Sequence, residues 1–171
     1  MAKQTRDVEF TEYVASRGAW LRQVAYLLCS DWHRADDLVQ ESITKLYVQW
    51  PRAGRVENVD GYARRVLVNT FLSEQRTGWW RRRGTVEVPV EQVAPAADLD
   101  VALDLREALA AIPPRQRAAV VLRYYCDLSV DQAAEALGCS SGTVKSQSAR
   151  GVGALRRLLG VRPVASMGRS V

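Results

Sequence analysis

Leu128–Leu159, LSVDQAAEALGCSSGTVKSQSARGVGALRRLL, reads as two short helices joined by a tight turn. Ser129 stands where its side-chain oxygen can accept the free backbone N–H groups of a first helix. That helix carries Ala133, Ala134 and Leu137 on one side, and Gly138 supplies the left-handed residue that the turn needs. Ser140 caps the second helix, whose apolar positions are Val144, Leu155, Leu158 and Leu159. Its other side offers Ser141, Thr143, Lys145, Ser146, Gln147 and Arg150, donors and acceptors suited to base edges and phosphates in a major groove. The stretch is therefore a helix-turn-helix, and duplex DNA is the ligand it predicts.

Upstream, Leu103–Ile112 reads as a short amphipathic helix that Pro113-Pro114 breaks, with Pro114 in the first turn of a helix over Arg115–Tyr125. Residues 84–101, GTVEVPVEQVAPAADLDV, lack helical periodicity and hold Pro89 and Pro95, which predicts an acidic flexible linker with a reach of up to roughly 60 Å. Before it lie three helical patterns. Phe10–Cys29 places Phe10, Tyr13, Val14, Trp20, Leu21, Val24, Ala25 and Leu28 near helical spacing. Residues 34–49 put Ala35, Leu38, Val39, Ile43, Leu46 and Tyr47 on one face, with Pro51 just beyond as a stop. A third pattern starts near Asn58 or Asp60 and continues to about Thr77. The expected fold class is all-α: two small helical domains, residues 1–83 and 102–160, joined by an extended linker and followed by a short basic tail, 161–171.

Composition narrows the function. The chain has 171 residues and a net charge of +5, divided as +4 over residues 1–83, −5 over 84–104 and +6 over 105–171. Two basic lobes joined by an acidic strap suggest two separate contacts with a polyanion. No apolar run approaches membrane-spanning length, and MAKQTRDVEF holds no apolar signal segment, so a cytoplasmic protein without membrane insertion is expected. Cys29, Cys126 and Cys139, odd in number and accompanied by the single His33, fit neither a disulfide framework nor a zinc site. They read as apolar filler, with redox sensing open to any that is exposed. No catalytic cluster, Gly-rich phosphate loop or metal-ligand spacing is present, so neither an enzyme nor a cofactor is expected.

Two further constellations carry chemistry. Asp37, Gln40, Glu41 and Thr44 recur at i, i+3, i+4 and i+7, a polar stripe that is either a solvated face or a docking surface for a basic partner. The third helix and its exit combine Arg64, Arg65, Asn69 and Arg76 with Trp79, Trp80, Arg81, Arg82 and Arg83. Cations interleaved with aromatics suit melted nucleic acid, the arginines holding phosphates while rings stack on unpaired bases. The two tryptophans equally suit closure of the core where the helix ends.

These residues resemble a known arrangement. ADDLVQESITKLYVQW (Ala35–Trp50) followed by GYARRVLVNTFLSEQR (Gly61–Arg76) is similar to the second conserved region of RNA polymerase sigma factors. IPPRQRAAVVLRYYCDLSVDQAAEALGCSSGTVKSQSARG (Ile112–Gly151) is similar to their fourth. With only a short linker between, the chain resembles the extracytoplasmic-function (group 4) sigma factors, and specifically an actinobacterial SigE-like subgroup. The resemblance implies that Asp37, Gln40, Glu41 and Thr44 dock on core RNA polymerase, at the β′ clamp helices. The third helix, with Arg65, Asn69 and the segment towards Trp80, would then read and help open the −10 element of promoter DNA. The linker would thread the RNA-exit path, the second helix of the helix-turn-helix would read the −35 element, and the β subunit of the polymerase would be a partner beside the β′ clamp. Phosphoryl-transfer chemistry would belong to the polymerase, and an anti-sigma factor is a partner common in such a family. The chain departs from the usual pattern at Gln147 and Ser148, where a basic and a large apolar residue are the rule, and at Gly151 and Gly153 inside the recognition helix. A stand-alone helix-turn-helix regulator with an N-terminal dimerisation or sensing module is the competing reading; it would bind duplex DNA without polymerase.

Overall fold

The structure, a computed structural model, describes residues 1–53, 57–82 and 100–160, with backbone alone for 52–53, 78–82 and 100–103. Among these residues there are seven α-helices, one π-helical segment and no strand: α1 (Ala2–Cys29), α2 (Trp32–Ala53), α3 (Val59–Arg82), α4 (Asp100–Ala111), α5 (Pro114–Val120), the π segment (Val121–Tyr125), α6 (Val130–Leu137) and α7 (Ser141–Leu158).

In the first lobe α1 and α2 form an antiparallel pair across which α3 packs. Ser30 ends α1 in the left-handed region (φ 59), its N–H donating to Tyr26 O. Asp31 then opens α2, its Oδ1 accepting the N–H groups of His33 (2.7 Å) and Arg34 (3.1 Å). These bonds hold its carboxyl below the ordinary carboxylate range. Pro51 is not a stop: α2 continues through it to Ala53. Trp50 is buried against Phe10 and Tyr13, which fixes the last turn by packing although Pro51 has no N–H to give. Asn58 caps α3 by accepting the Gly61 N–H at 2.9 Å. Asp60 in its first turn accepts from Tyr13 Oη and Arg17, which ties the start of α3 to α1. The apolar side of α3, Ala63, Leu67, Val68, Phe71 and Leu72, closes the core.

The second lobe follows its caps. Ser129 Oγ accepts the Gln132 N–H at 3.1 Å while Gln132 Oε1 accepts the Ser129 N–H at 2.9 Å, a complete capping box. Gly138 is left-handed (φ 63), and Ser140 Oγ accepts the Thr143 N–H at 3.1 Å. The expected helix over Arg115–Tyr125 is instead α5 followed by the π segment, where the Cys126 N–H reaches Val121 O at 3.0 Å and the Leu128 N–H reaches Leu122 O at 3.0 Å. The wider turn keeps Val121 and Leu122 buried while Tyr124 and Tyr125 stand out in solvent. Leu158 and Leu159 are likewise exposed, against expectation, because the last turn of α7 runs past the core beside α4.

Gly151 and Ser148 have a shared structural reason. A Cβ on Gly151 would lie 2.6 Å from Val120 Cγ2 and 3.2 Å from Gln116 O, so α7 crosses α5 with no room for a side chain. One turn earlier the buried Ser148 returns its hydroxyl to Val144 O at 2.6 Å. Gly153, by contrast, faces open space except for the tip of Arg157.

The two lobes share a buried cluster. Ala118, Val121, Leu122, Leu128, Ala133, Ala134, Ala136 and Val144 belong to the same buried cluster as Val24, Leu28, Leu67 and Phe71. α6 lies against α3, while α4 and the π segment lie against α1.

Candidate nucleic-acid interface

On α7, Val144, Ser148, Gly151 and Leu155 form the buried stripe. Ser146 is diametrically opposite, flanked by Lys145 and Arg150, all three exposed, and the helix holds no acidic residue. Ser141 and Thr143 sit at the start of the helix and are already engaged. Ser141 Oγ donates to Asp131 Oδ1 of α6 at 2.5 Å, and Thr143 Oγ1 meets Ser140 Oγ at 2.9 Å. The Ser141 hydroxyl therefore ties α7 to α6, while that of Thr143 belongs to the cap of α7 itself. Gln147 is half-buried at the edge of the stripe.

On α3, Arg65, Asn69 and Arg76 are exposed and share one face with Ser73, at i, i+4, i+8 and i+11. The face borders a groove of about 440 Å³ between α2 and α3, lined also by Lys45, Gln49 and Thr70. Sequence reasoning missed Lys45, Gln49 and Ser73; the i, i+4 spacing of Arg65, Asn69 and Ser73 was the available signal. Arg64 does not belong to this face. Its guanidinium sits 5.4 Å from the ring centroid of Trp20 in α1, its buried Nε has no hydrogen-bond partner among the described residues, and it lines a cavity with Gln132 and Glu135 of α6. Trp79, Trp80, Arg81 and Arg82 lie on the helical backbone of α3, beyond the expected end near Thr77; their side chains and all of Arg83 fall outside the described residues. So do residues 84–99 of the expected linker, whose last two residues, Asp100 and Val101, belong to α4.

The two surfaces meet at one place. Leu72, Gln75 and Arg76 of α3, Pro113 to Gln116, and Gln147 and Arg150 of α7 line a cleft of about 620 Å³. Arg115, Gln116 and Gln75 had no sequence signal, since only the packing of the lobes brings them there.

The stripe on α2 is fully presented: Asp37, Gln40, Glu41 and Thr44 are all exposed. Asp36, its sequence neighbour, points elsewhere and accepts Arg22 Nε at 2.5 Å and Nη2 at 3.3 Å, which lowers its pKa. Arg22 in turn lies over Trp32, itself stacked on Tyr26 at 3.8 Å. Glu41 pairs with Lys45 at 2.8 Å and is held down by it. Glu74 of α3 adjoins Glu41, and burial together with that neighbouring carboxylate pushes its carboxyl up. The three cysteines are free and half-buried, and burial raises the Cys29 thiol to about 11, far from thiolate reactivity. No group of three metal-ligating side chains exists among the described residues.

Comparison with known proteins decides among readings. Residues 13–81 match the family Sigma-70 region 2, and residues 102–155 match Sigma-70, region 4. The chain is 38% identical over 162 residues to the RNA polymerase sigma-E factor of Streptomyces coelicolor, covering 91% of this chain and 88% of that protein. It is 32% identical over 144 residues to the ECF RNA polymerase sigma factor SigM of Mycobacterium tuberculosis, covering 82% and 71%. The chain belongs to the ECF RNA polymerase sigma factors. A sigma factor of this kind directs transcription initiation, and its all-helical fold is shared with solved relatives. The sigma factor RpoE of Bartonella quintana, solved in complex with the anti-sigma factor NepR, superposes with a TM-score of 0.75 at 27% identity over 91% of this sigma factor and 99% of that chain. Among the described residues of the sigma factor, no helix is long and apolar enough to cross a membrane.

Proposed function

We propose that this sigma factor engages core polymerase through α2 and promoter DNA through α3 and α7. Residues 1–83 bind the β′ clamp helices with Asp37, Gln40, Glu41 and Thr44, and read and open the −10 element with Arg65, Asn69, Arg76 and the segment Trp79–Arg83. Residues 102–160 read the −35 element through Lys145, Ser146 and Arg150, with Gln147 at the margin and Ser141 and Thr143 in support of the helix. Residues 84–101 bridge them along the RNA-exit path, and the chain acts in the cytoplasm without chemistry or cofactor of its own. The observation that supports this most is the clean division of α7: one side wholly packed, the other basic, exposed and without a carboxylate.

An anti-sigma factor is a natural partner, as one accompanies the Bartonella quintana relative. Reconstituted transcription tests the reading. With core polymerase, Asp37→Arg or Glu41→Lys weakens holoenzyme formation in a pull-down without lowering the melting temperature. Undiminished capture would remove α2 as the docking face.

A further inference from the structure

We propose that Arg117 latches the two lobes together in the polymerase-free protein, and that the closed form withholds the start of α3 from promoter DNA. The second half of this statement rests on the reading of α3 given above. Arg117 is 8% exposed, and among the described residues no carboxylate pairs with it. A buried guanidinium without a counter-ion persists only where fixed dipoles replace its water. Here Nη1 donates to Leu28 O at 2.6 Å, and Nη2 donates to Ala110 O and Ile112 O at 3.0 Å each. Those carbonyls lie at the C-terminal ends of α1 and α4, where unsatisfied oxygens and the negative end of the helix dipole favour a cation.

The division of these bonds makes the contact a latch. Ala110 and Ile112 belong to the same lobe as Arg117 and move with it. Leu28 belongs to the other lobe, so that bond alone breaks when the lobes part. Arg106 repeats the design at the rim, donating to Tyr26 Oη at 3.3 Å while its carbonyl accepts Ser30 Oγ at 3.5 Å. With the latch closed, α6 sits over the first turns of α3. Gln132 and Glu135 of α6 line the same cavity of about 200 Å³ as Asn58, Gly61, Arg64 and Arg65. Glu135 thus stands on the Arg64 and Arg65 side of the first turns of α3, and α6 takes up the space a phosphate backbone would need there, while the other side of Arg65 stays exposed towards α2.

Two variants of the full chain test the latch. Arg117→Leu keeps an apolar stem and removes the charge and its hydrogen bonds. It is expected to raise the radius of gyration measured by small-angle X-ray scattering, and to tighten binding of a mixed-sequence 20-nucleotide single strand at least three-fold without polymerase. An unchanged radius and unchanged binding would overturn the latch. Should circular dichroism show that this variant has lost its helices, Ser30→Cys/Arg106→Cys decides, made in a background with Cys29, Cys126 and Cys139 replaced by serine that is itself active in transcription, its two thiols joined by a cleavable bismaleimide. Closure by the tether should abolish transcripts from a promoter on which the wild type is active with core polymerase, and thiol cleavage should restore them. Full transcription with the tether intact would overturn the proposal. If the wild type starts no transcripts at all, the functional reading fails instead.

Discussion

Single residues on α7 give the sharpest expectations. Gly151→Ala forces a methyl to within 2.6 Å of Val120 Cγ2, and overpacking of that kind costs about 1–3 kcal/mol. Gly153→Ala meets open space inside a helix and should stabilise by about 0.4–1 kcal/mol. Thermal melts of the pair therefore shift in opposite directions; equal shifts would contradict the crossing of α5 and α7. Lys145→Ala, at a surface site, should leave the melt unchanged while lowering the slope of log affinity for −35 duplex against log salt by about 1. Asp31 and Asp36 contribute to the acid limb of stability. Both have pKa values below the ordinary 3.8, so each adds stability that is present above that pH and lost as pH falls through its lower folded value. Asp31→Asn and Asp36→Asn should each flatten the fall in melting temperature below pH 4, and an unaltered acid limb would discount their hydrogen bonds.

At the scale of elements, the sequence was legible wherever a cap is local. Ser129 with Gln132, Gly138, and Ser140 lie within four residues of the groups they satisfy, so type and spacing alone announce them. Ser129→Ala should cost about 1 kcal/mol of unfolding free energy in a urea titration, since it leaves the Gln132 N–H without its acceptor. Boundaries set by distant packing were not legible. Pro51 reads as a stop because the residues around it do not reveal that Phe10 and Tyr13 hold Trp50 in place. The π segment is hidden for the same reason: its wider turn follows from the need to bury Val121 and Leu122 at once. The candidate faces divide in the same way. The stripes on α2, α3 and α7 could be read from a helical period, whereas Arg64 could not be told from Arg65 without knowing that Trp20 lies beneath it.

For the whole molecule, the acidic stretch between two basic lobes suggests two separate contacts with a polyanion and says nothing of how the lobes pack; in the structure the helix-turn-helix shares its core with α1 and α3. An apolar stripe announces that a face is covered, not by what, and so the union of the lobes is absent from any local pattern. One buried cluster running through both lobes predicts a single cooperative unfolding transition, with calorimetric and van't Hoff enthalpies in agreement. Two resolved transitions would show that the shared core contributes little.

The crossing at Gly151 also bears on how the sigma factor could be retargeted. Any library that diversifies the recognition helix has a fixed scaffold imposed on it: Val144, Ser148, Gly151 and Leu155 are occupied by packing and cannot vary freely. Lys145, Ser146, Ala149 and Arg150 face outward and can be randomised together with no cost to the core. Altered promoter choice is thus accessible through four outward positions, and a selection that also randomised position 151 would spend diversity on chains destabilised by overpacking against Val120 and Gln116.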